Sequence, residues 1–486
     1  MKNNKIFGVK LIAFIIIIAA VISQVNWILT PKKYYDNDWP TTTTYKGFYK
    51  IEKNTVDVLF LGSSHAVTAF NPQVIYNNYG IKSYNIGCEQ QNLLTSYYWL
   101  QEALRYQNPK VVVLDTYMLF SYRPDQALNT AESCTRMAFD AMKWSSVKWN
   151  AVKDICRIDS NQSFNSYLLT NIRFHARWTE LTENDLTYLS KEKHYELKGY
   201  APFNNKCANY DYAPYKSDHD QTTYCETVSV MQEYLGKIIE LCKNKDIKII
   251  LVKTPTTQWS IDKHNTVQKY ADDVGVEFWD FNEQDIYEAT GLDFPQDMTD
   301  NEHGNVWGAE KMSAYIGKKI QIDYGISSSS NGVEQWEDTD SYYQTVYEDS
   351  KLRYITELDE YVTAINHDRY TIFISSLNDV NYLLNDDVKK LFKTLGLNMN
   401  VETSQSYYAV IEQGRVTECV GNGDIVYNQS INNHLIDFTI TAGDSSSIMI
   451  ETTEYSRAQQ GLNIVVYSNE RRIIVDRVTY NGAIVR

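Results

Sequence analysis

Three features of this 486-residue sequence predict a doubly wound α/β domain followed by a β-rich domain. The runs "VDVLFLG", "KSYNIG", "KVVVLDT" and "IKIILVKTP" are short, rich in β-branched residues and too apolar to be half exposed. Strands of a parallel sheet covered on both faces have this composition. Helix-like stretches such as "LLTSYYWLQEALRYQ" and "VSVMQEYLGKIIELCKNK" lie between them, and that alternation argues α/β rather than segregated elements. Past residue 343 the pattern shifts to short alternating runs punctuated by turn signals such as Asn422-Gly423. The chain is too long for one ordinary core, and 43% hydrophobic residues suffice for two packed units.

The N-terminus carries Lys2 and Lys5 ahead of an apolar segment whose unbroken part, Leu11 to Ile22, is shorter than a bilayer span. Extended from Ile6 to Leu29 it reaches spanning length, with Lys10 placed to snorkel and Trp27 at the interface. No small-x-small cleavage site follows Ile22, which favours an uncleaved anchor over a cleaved signal peptide. Residues 1–29 are therefore expected to form a membrane anchor, with the remaining chain outside the cytoplasm by the positive-inside rule. Residues 30–50, with the run Thr41 to Thr44, read as a polar stalk. The α/β domain is expected over 51–325, interrupted at about 123–224 by a polar, aromatic, partly helical insertion that could cover the active face. The Ser-rich acidic segment 326–342 reads as a linker. Residues 343–486 read as a β-rich domain with helices near "YITELDEYVTAIN" and "NDDVKKLFKTLG".

A net charge of -15 argues against a nucleic-acid surface. The seven cysteines include no C-x-x-C pair and no zinc-type spacing with histidine, so no metal or organic cofactor is implied. Cys207 and Cys225 could pair in an oxidising compartment or remain thiols. The 38 tyrosines suit sugar contacts, although base composition alone could also raise their number.

The first apolar run ends abruptly in Gly62-Ser63-Ser64-His65. A serine hydroxyl is a poor nucleophile until a base, usually a His oriented by a carboxylate, removes its proton. Ser64 would sit at the carboxyl end of the first strand, where open α/β sheets place their sites. Among eight histidines, His303 stands three residues after Asp300 and just before a helix pattern, close enough for the carboxylate to fix the imidazole. Ser63 is the less suitable nucleophile. His65 reads as a polar neighbour, with substrate contact as its alternative role.

These blocks resemble those of the SGNH, or GDSL-type, hydrolase superfamily. Gly62-Ser63-Ser64 stands where that superfamily has Gly-Asp-Ser, and Asp300-Asn301-Glu302-His303 matches its terminal Asp-x-x-His block. "SYNIG", ending at Gly87, fits the second block. The Gly-Ser-Ser form, the apolar N-terminus and "PKVVVLDT" are most similar to the extracytoplasmic branch, which includes the D-alanine transfer protein and the alginate acetylation proteins. The resemblance implies a three-layer sandwich, Ser64 as nucleophile, His303 as proton shuttle, Asp300 as orienter, and the amides of Ser64 and Gly87 around the oxyanion. The superfamily's third block supplies an Asn donor, whereas the corresponding strand here ends in Asp115-Thr116-Tyr117. Asn92 or an insertion residue is the expected substitute, and Asp115 is expected to be structural. Losing one oxyanion donor costs about 100-fold or more in rate.

The segment from about 368 to 482 resembles the interleukin-like inducer of epithelial–mesenchymal transition and the stem domain of an O-mannose N-acetylglucosaminyltransferase. The likeness rests on Ser406 to Val416, Tyr455-Ser456, Gly461 to Val466 and Val475-Asp476. It implies a β-sandwich flanked by helices and a glycan-targeting role; a purely structural or docking module is the alternative. Together the resemblances imply an acyltransferase acting on a surface polysaccharide, beside a multi-span membrane O-acyltransferase. An esterase that removes acyl groups, or a non-catalytic glycan-binding protein, remain the competing expectations.

Overall fold

Four of the apolar runs become parallel strands in the computed structural model, which describes residues 2–32, 40–187, 196–207, 211–216, 218–326, 332–431 and 436–486. They are β1 (Val58–Gly62), β2 (Ser83–Gly87), β3 (Val111–Asp115) and β4 (Lys248–Lys253). A fifth strand, β5 (Glu277–Asp280), completes a sheet ordered β2-β1-β3-β4-β5. Every pairing in this sheet is parallel, and the order reverses direction at β1, so the sheet is doubly wound.

Alternation along β1, β3 and β4 explains why their centres are apolar on both faces. Leu59, Leu61, Val112, Leu114, Ile249 and Leu251 feed one core. Val58, Phe60, Val111, Val113, Ile250 and Val252 feed the other. The first core is completed by residues of the helices Leu93–Ala103 and Ser229–Asn244, the second by those of Pro72–Tyr79 and Val306–Tyr324. The first unit is thus a three-layer α/β sandwich. It spans Met1–Tyr343, and the second unit spans Gln344–Arg486.

Two boundary expectations change. Residues 33–39 of the expected stalk lie outside the described residues, but Pro40–Phe48 is a helix, and Tyr45 and Phe48 are fully buried. Tyr45 stacks on Trp99 with centroids 4.4 Å apart, so this segment belongs to the core rather than to a solvated tether. Residues 327–331 of the expected linker also lie outside the described residues; beyond them Glu334–Glu337 forms a single helical turn that buries Trp336 in the same core. The insertion contains short helices between Glu132 and Thr187, and its residues 188–195, 208–210 and 217 are outside the described set. Cys207 packs with Phe294 and Met298, whereas the Cys225 amide donates to Thr266, so the two cysteines stand in separate clusters.

The second unit contains a six-stranded and a four-stranded sheet. The larger includes β6 (Tyr370–Leu377), β7 (Gln405–Glu412) and β8 (Arg415–Asn422); the smaller includes β9 (Ile425–Ile431) and β10 (Ile436–Ala442). Their pairings are antiparallel. Phe373, Val410 and Val465 of the larger sheet pack against Phe438, Ile440 and Ile448 of the smaller. On the opposite face Ile372, Ile374 and Ala409 pack against Tyr361, Val362 and Phe392, which lie on the two helices Leu358–Ile365 and Asp386–Lys393. The Asn422-Gly423 turn carries the chain from the larger sheet into the smaller.

Candidate active site

From Thr55 to Ile75 every residue is buried except Ser64. The turn that exposes it is built by its neighbours. A Cβ at Gly62 would come within 2.5 Å of the Asp115 Cβ, so only glycine lets β1 and β3 approach this closely at their ends. Ser63 caps the helix Ser64–Ala69 by accepting from the His65 amide at 3.4 Å. Its hydroxyl also donates to Asp115 Oδ2 at 2.8 Å. Ser63 is therefore committed to holding the turn, and Asp115 accepts from it below the site instead of facing the cavity.

Ser64 Oγ lies 2.8 Å from His303 Nε2. His303 Nδ1 lies 2.9 and 3.0 Å from the two carboxylate oxygens of Asp300. Asp300 Oδ1 also accepts from the amides of Glu302 and His303, which fixes the loop that presents the imidazole. Thr256 Oγ1 and the Thr257 amide tie that loop to the end of β4 through the Asn301 carbonyl. Asn305 then caps the helix Val306–Tyr324. Burial pushes the Asp300 carboxyl upward, but the His303 hydrogen bond and charge, with the two amides, outweigh it and hold the group below its ordinary value. A charged Asp300 accepts a hydrogen bond from Nδ1–H, which keeps the ring proton on Nδ1 and leaves Nε2 as the acceptor for the Ser64 hydroxyl.

The three side chains open onto a cavity of about 240 Å³. Tyr117, Met118 and Tyr122 from the loop after β3 form one wall, and Phe203 of the insertion forms another. Phe203 packs edge-on to the His303 ring, with centroids 6.0 Å apart. No protein-family model matches the chain, and no curated protein matches it. Over 58% of its length it is similar to a GDSL-like lipase from Bacteroides thetaiotaomicron VPI-5482, covering 99% of that chain at 12% identity with a TM-score of 0.26. An acylhydrolase candidate from Bacteroides fragilis NCTC 9343 matches 61% of this chain and 97% of its own, also at 12% identity, with a TM-score of 0.25.

Gly87 pairs with Gly62 across the ends of β2 and β1. A Cβ there would meet the Gly62 carbonyl oxygen at 2.5 Å and Val67 Cγ1 at 2.7 Å. The first contact is with backbone, which cannot rotate away. Gly87→Ala is expected to cost about 1–3 kcal/mol by overpacking, read as a lowered melting temperature, and to reduce turnover by displacing the Ser64 turn.

Asn92 is not brought to the cavity. It is fully buried, accepts from the Thr95 amide as the N-cap of Leu93–Ala103, and donates to the Leu128 carbonyl at 2.8 Å. Both ends of its amide serve the fold, so it is not placed to meet substrate. The tight turn after β2 instead projects Glu89 and Gln90 onto the cavity, with Gln90 at φ +51°. The glutamine amide is a donor of the same chemistry as the missing Asn.

His65, expected as a polar neighbour of Ser64 with substrate contact as the alternative, packs between Tyr117 and Lys253. Its ring is 1% exposed, lies 3.9 Å from the Tyr117 ring centroid, and receives Lys253 Nζ on Nδ1 at 3.0 Å. Burial, with the Lys253 and His303 charges, lowers its pKa well below the ordinary value, so the ring is neutral. An ammonium donor on Nδ1 leaves the proton on Nε2, a buried atom with no hydrogen-bond partner in a residue that lines the cavity; Glu302 is 3.6 Å away. Lys253 itself is fully buried, 3.9 Å from Asp115; burial brings its pKa down to about 8, against the opposing pull of Asp115, Asp280 and Glu302.

Proposed function

We propose that this chain is a membrane-associated serine acyl-transfer enzyme that moves a short acyl group, acetyl or similar, onto hydroxyls of an extracytoplasmic polysaccharide. The observation that carries the reading is the hydrogen-bonded series Ser64–His303–Asp300 at the mouth of a cavity sized for a short acyl chain. Ser64 Oγ attacks the acyl carbonyl as His303 Nε2 takes its proton. Collapse of the tetrahedral intermediate breaks the ester bond, and His303 returns the proton to the departing alcohol. A sugar hydroxyl then gives its proton to His303 and attacks the acyl-serine; collapse of this second tetrahedral intermediate breaks the bond to Ser64 Oγ, and His303 returns the proton to that oxygen. The amides of Ser64 and Gly87 are proposed to hold the oxyanion, with His65 Nε2–H and Gln90 as the side-chain donors in place of the absent Asn.

The esterase reading differs only in that water attacks the acyl-serine. A third-block strand without Asn favours transfer, or a decayed site, over fast hydrolysis. Purified protein incubated with a chromogenic acetyl ester, with and without acceptor oligosaccharide, tests the reading. Acylated oligosaccharide supports transfer, cleavage unaffected by acceptor supports the esterase, and no turnover of either kind overturns the enzyme reading. The apolar helix Ile6–Leu29 is long enough to cross a membrane and fits either an anchor or a signal sequence. We read it as an anchor with the catalytic unit outside, where a multi-span membrane O-acyltransferase is the proposed acyl supplier. The second unit, a β-sandwich with helices on one face, is proposed to bind glycan; a blank glycan array would remove that role.

Lys253 sets the expected pH response. Its ammonium keeps His65 Nδ1 an acceptor and adds positive charge behind a developing oxyanion, so the protonated form is the active one. With a pKa of about 8 it is charged below that pH and loses its charge as the pH rises through it. Turnover is expected to fall along an alkaline limb centred near pH 8. Lys253→Met, checked for an unchanged circular dichroism spectrum, is expected to be slower and to lack that limb. A wild-type rate with no alkaline decline would remove Lys253 from the mechanism.

A further inference from the structure

We infer that the insertion seats the catalytic unit on the lipid surface, through an apolar patch built around the end of the N-terminal helix. The inference rests on the anchor reading of that helix. Lys2–Leu29 is exposed from Phe7 to Val25 apart from Gly8, and then its character changes. Asn26, Trp27 and Ile28 are half-buried and Leu29 is buried. The insertion grips this last turn. The Asn171 amide donates to Asn26 Oδ1 at 2.9 Å. Arg177 Nη1 donates to the Leu29 carbonyl at 2.6 Å, which satisfies an orphan acceptor at the negative end of the helix. Arg177 is itself held by Asp185 at 2.9 Å.

The residues around these contacts expose large apolar side chains. Leu168 is 51% exposed, Ile172 41%, Trp178 70% and Leu186 58%. Between residues 30 and 343, among the described residues, eight large hydrophobic side chains are exposed, and six of them lie between Trp144 and Leu186. Such a concentration on a soluble surface marks an interaction site. Its position identifies the occupant. A helix that leaves the bilayer into this socket carries the interface plane to the same segments. Trp, Leu and Ile beside it then sit where amphipathic surface segments bury their apolar faces and where Trp is enriched. The anchor is thereby coupled to the catalytic unit by packing and hydrogen bonds.

The test uses the full chain in lipid nanodiscs of phosphatidylcholine and phosphatidylglycerol doped with a photoactivatable diazirine phospholipid, followed by peptide mapping. Adducts are expected on the N-terminal helix and within 164–187, with none on the surface helix Ile261–Val274. The variant Ile172→Ser/Trp178→Ser/Leu186→Ser is expected to lose about tenfold or more of the 164–187 labelling, with labelling of the N-terminal helix and the melting temperature retained. Labelled N-terminal helix with an unlabelled 164–187 segment overturns the seat and leaves the anchor standing. Absence of labelling on both overturns the anchor reading and the seat with it. Undiminished 164–187 labelling in the triple variant also overturns the seat.

Discussion

Ser64→Ala is expected to lower acyl-ester cleavage by about a thousandfold or more, because the variant has no oxygen to carry the acyl group and leaves only binding and oxyanion contacts. The fold should scarcely register the change. Ser64 is the one half-buried residue of an otherwise buried segment, and its hydroxyl meets His303 at the cavity rather than a core partner. A stability change no larger than about 1 kcal/mol is the expectation. Ser63→Ala is the matched control with the opposite signature. That hydroxyl is 1% exposed and donates to a buried carboxylate, so its loss is expected to cost about 1–3 kcal/mol, with the chemistry less affected. Rates with a chromogenic ester and thermal melts for both variants separate the two serines. A fully active Ser64→Ala, or a Ser63→Ala that is inactive but as stable as the parent, would exchange or abolish their roles.

The opening blocks were legible because their physics is local. β1, β3 and the centre of β4 bury both faces and so show as apolar runs, whereas β2 is marked by its place in the alternation because it carries Ser83 and Asn85. Ser64 and the Asp300–His303 pair stand at a strand end and a helix start, where turn residues and caps give the position away. β5 was not legible: it has four residues, begins with Glu277 and ends with Asp280, and that buried aspartate accepts from Trp259 and His264 rather than facing solvent. The helix Pro40–Phe48 looked like a stalk because its composition is polar; two aromatic side chains in nine residues carry its packing, too few to show a period. Asn92 precedes "LLTSYYWL" and has the composition of an N-cap, a local signal that outranks a catalytic reading. Lys253, Phe203 and Gln90 were beyond reach for a different reason. Lys253 and His65 are 188 residues apart, and nothing in either local sequence predicts a contact that only the finished sheet creates.

The carboxylate of Asp300 offers the second large effect, and one that a decayed site would not produce. Asp300→Asn preserves size and retains an oxygen able to accept from the Glu302 and His303 amides, so the loop should stay in place. What changes is the atom facing His303 Nδ1. With the oxygen turned to the two amides, the Asn NH2 faces Nδ1 and donates to it, which drives the ring proton to Nε2. The atom that must accept the Ser64 proton then carries one already. A comparable substitution in a Ser-His-Asp enzyme lowers kcat by about 10⁴ with the geometry intact, and a loss of that order is expected here. The effect should fall on kcat more than on KM, since the cavity walls are untouched. Steady-state kinetics on the variant, with a thermal melt to establish that it folds, decide the matter. A folded Asp300→Asn variant that turns over at the parental rate would mean that His303 needs no orienting carboxylate, and Asp300 would lose its role in the mechanism.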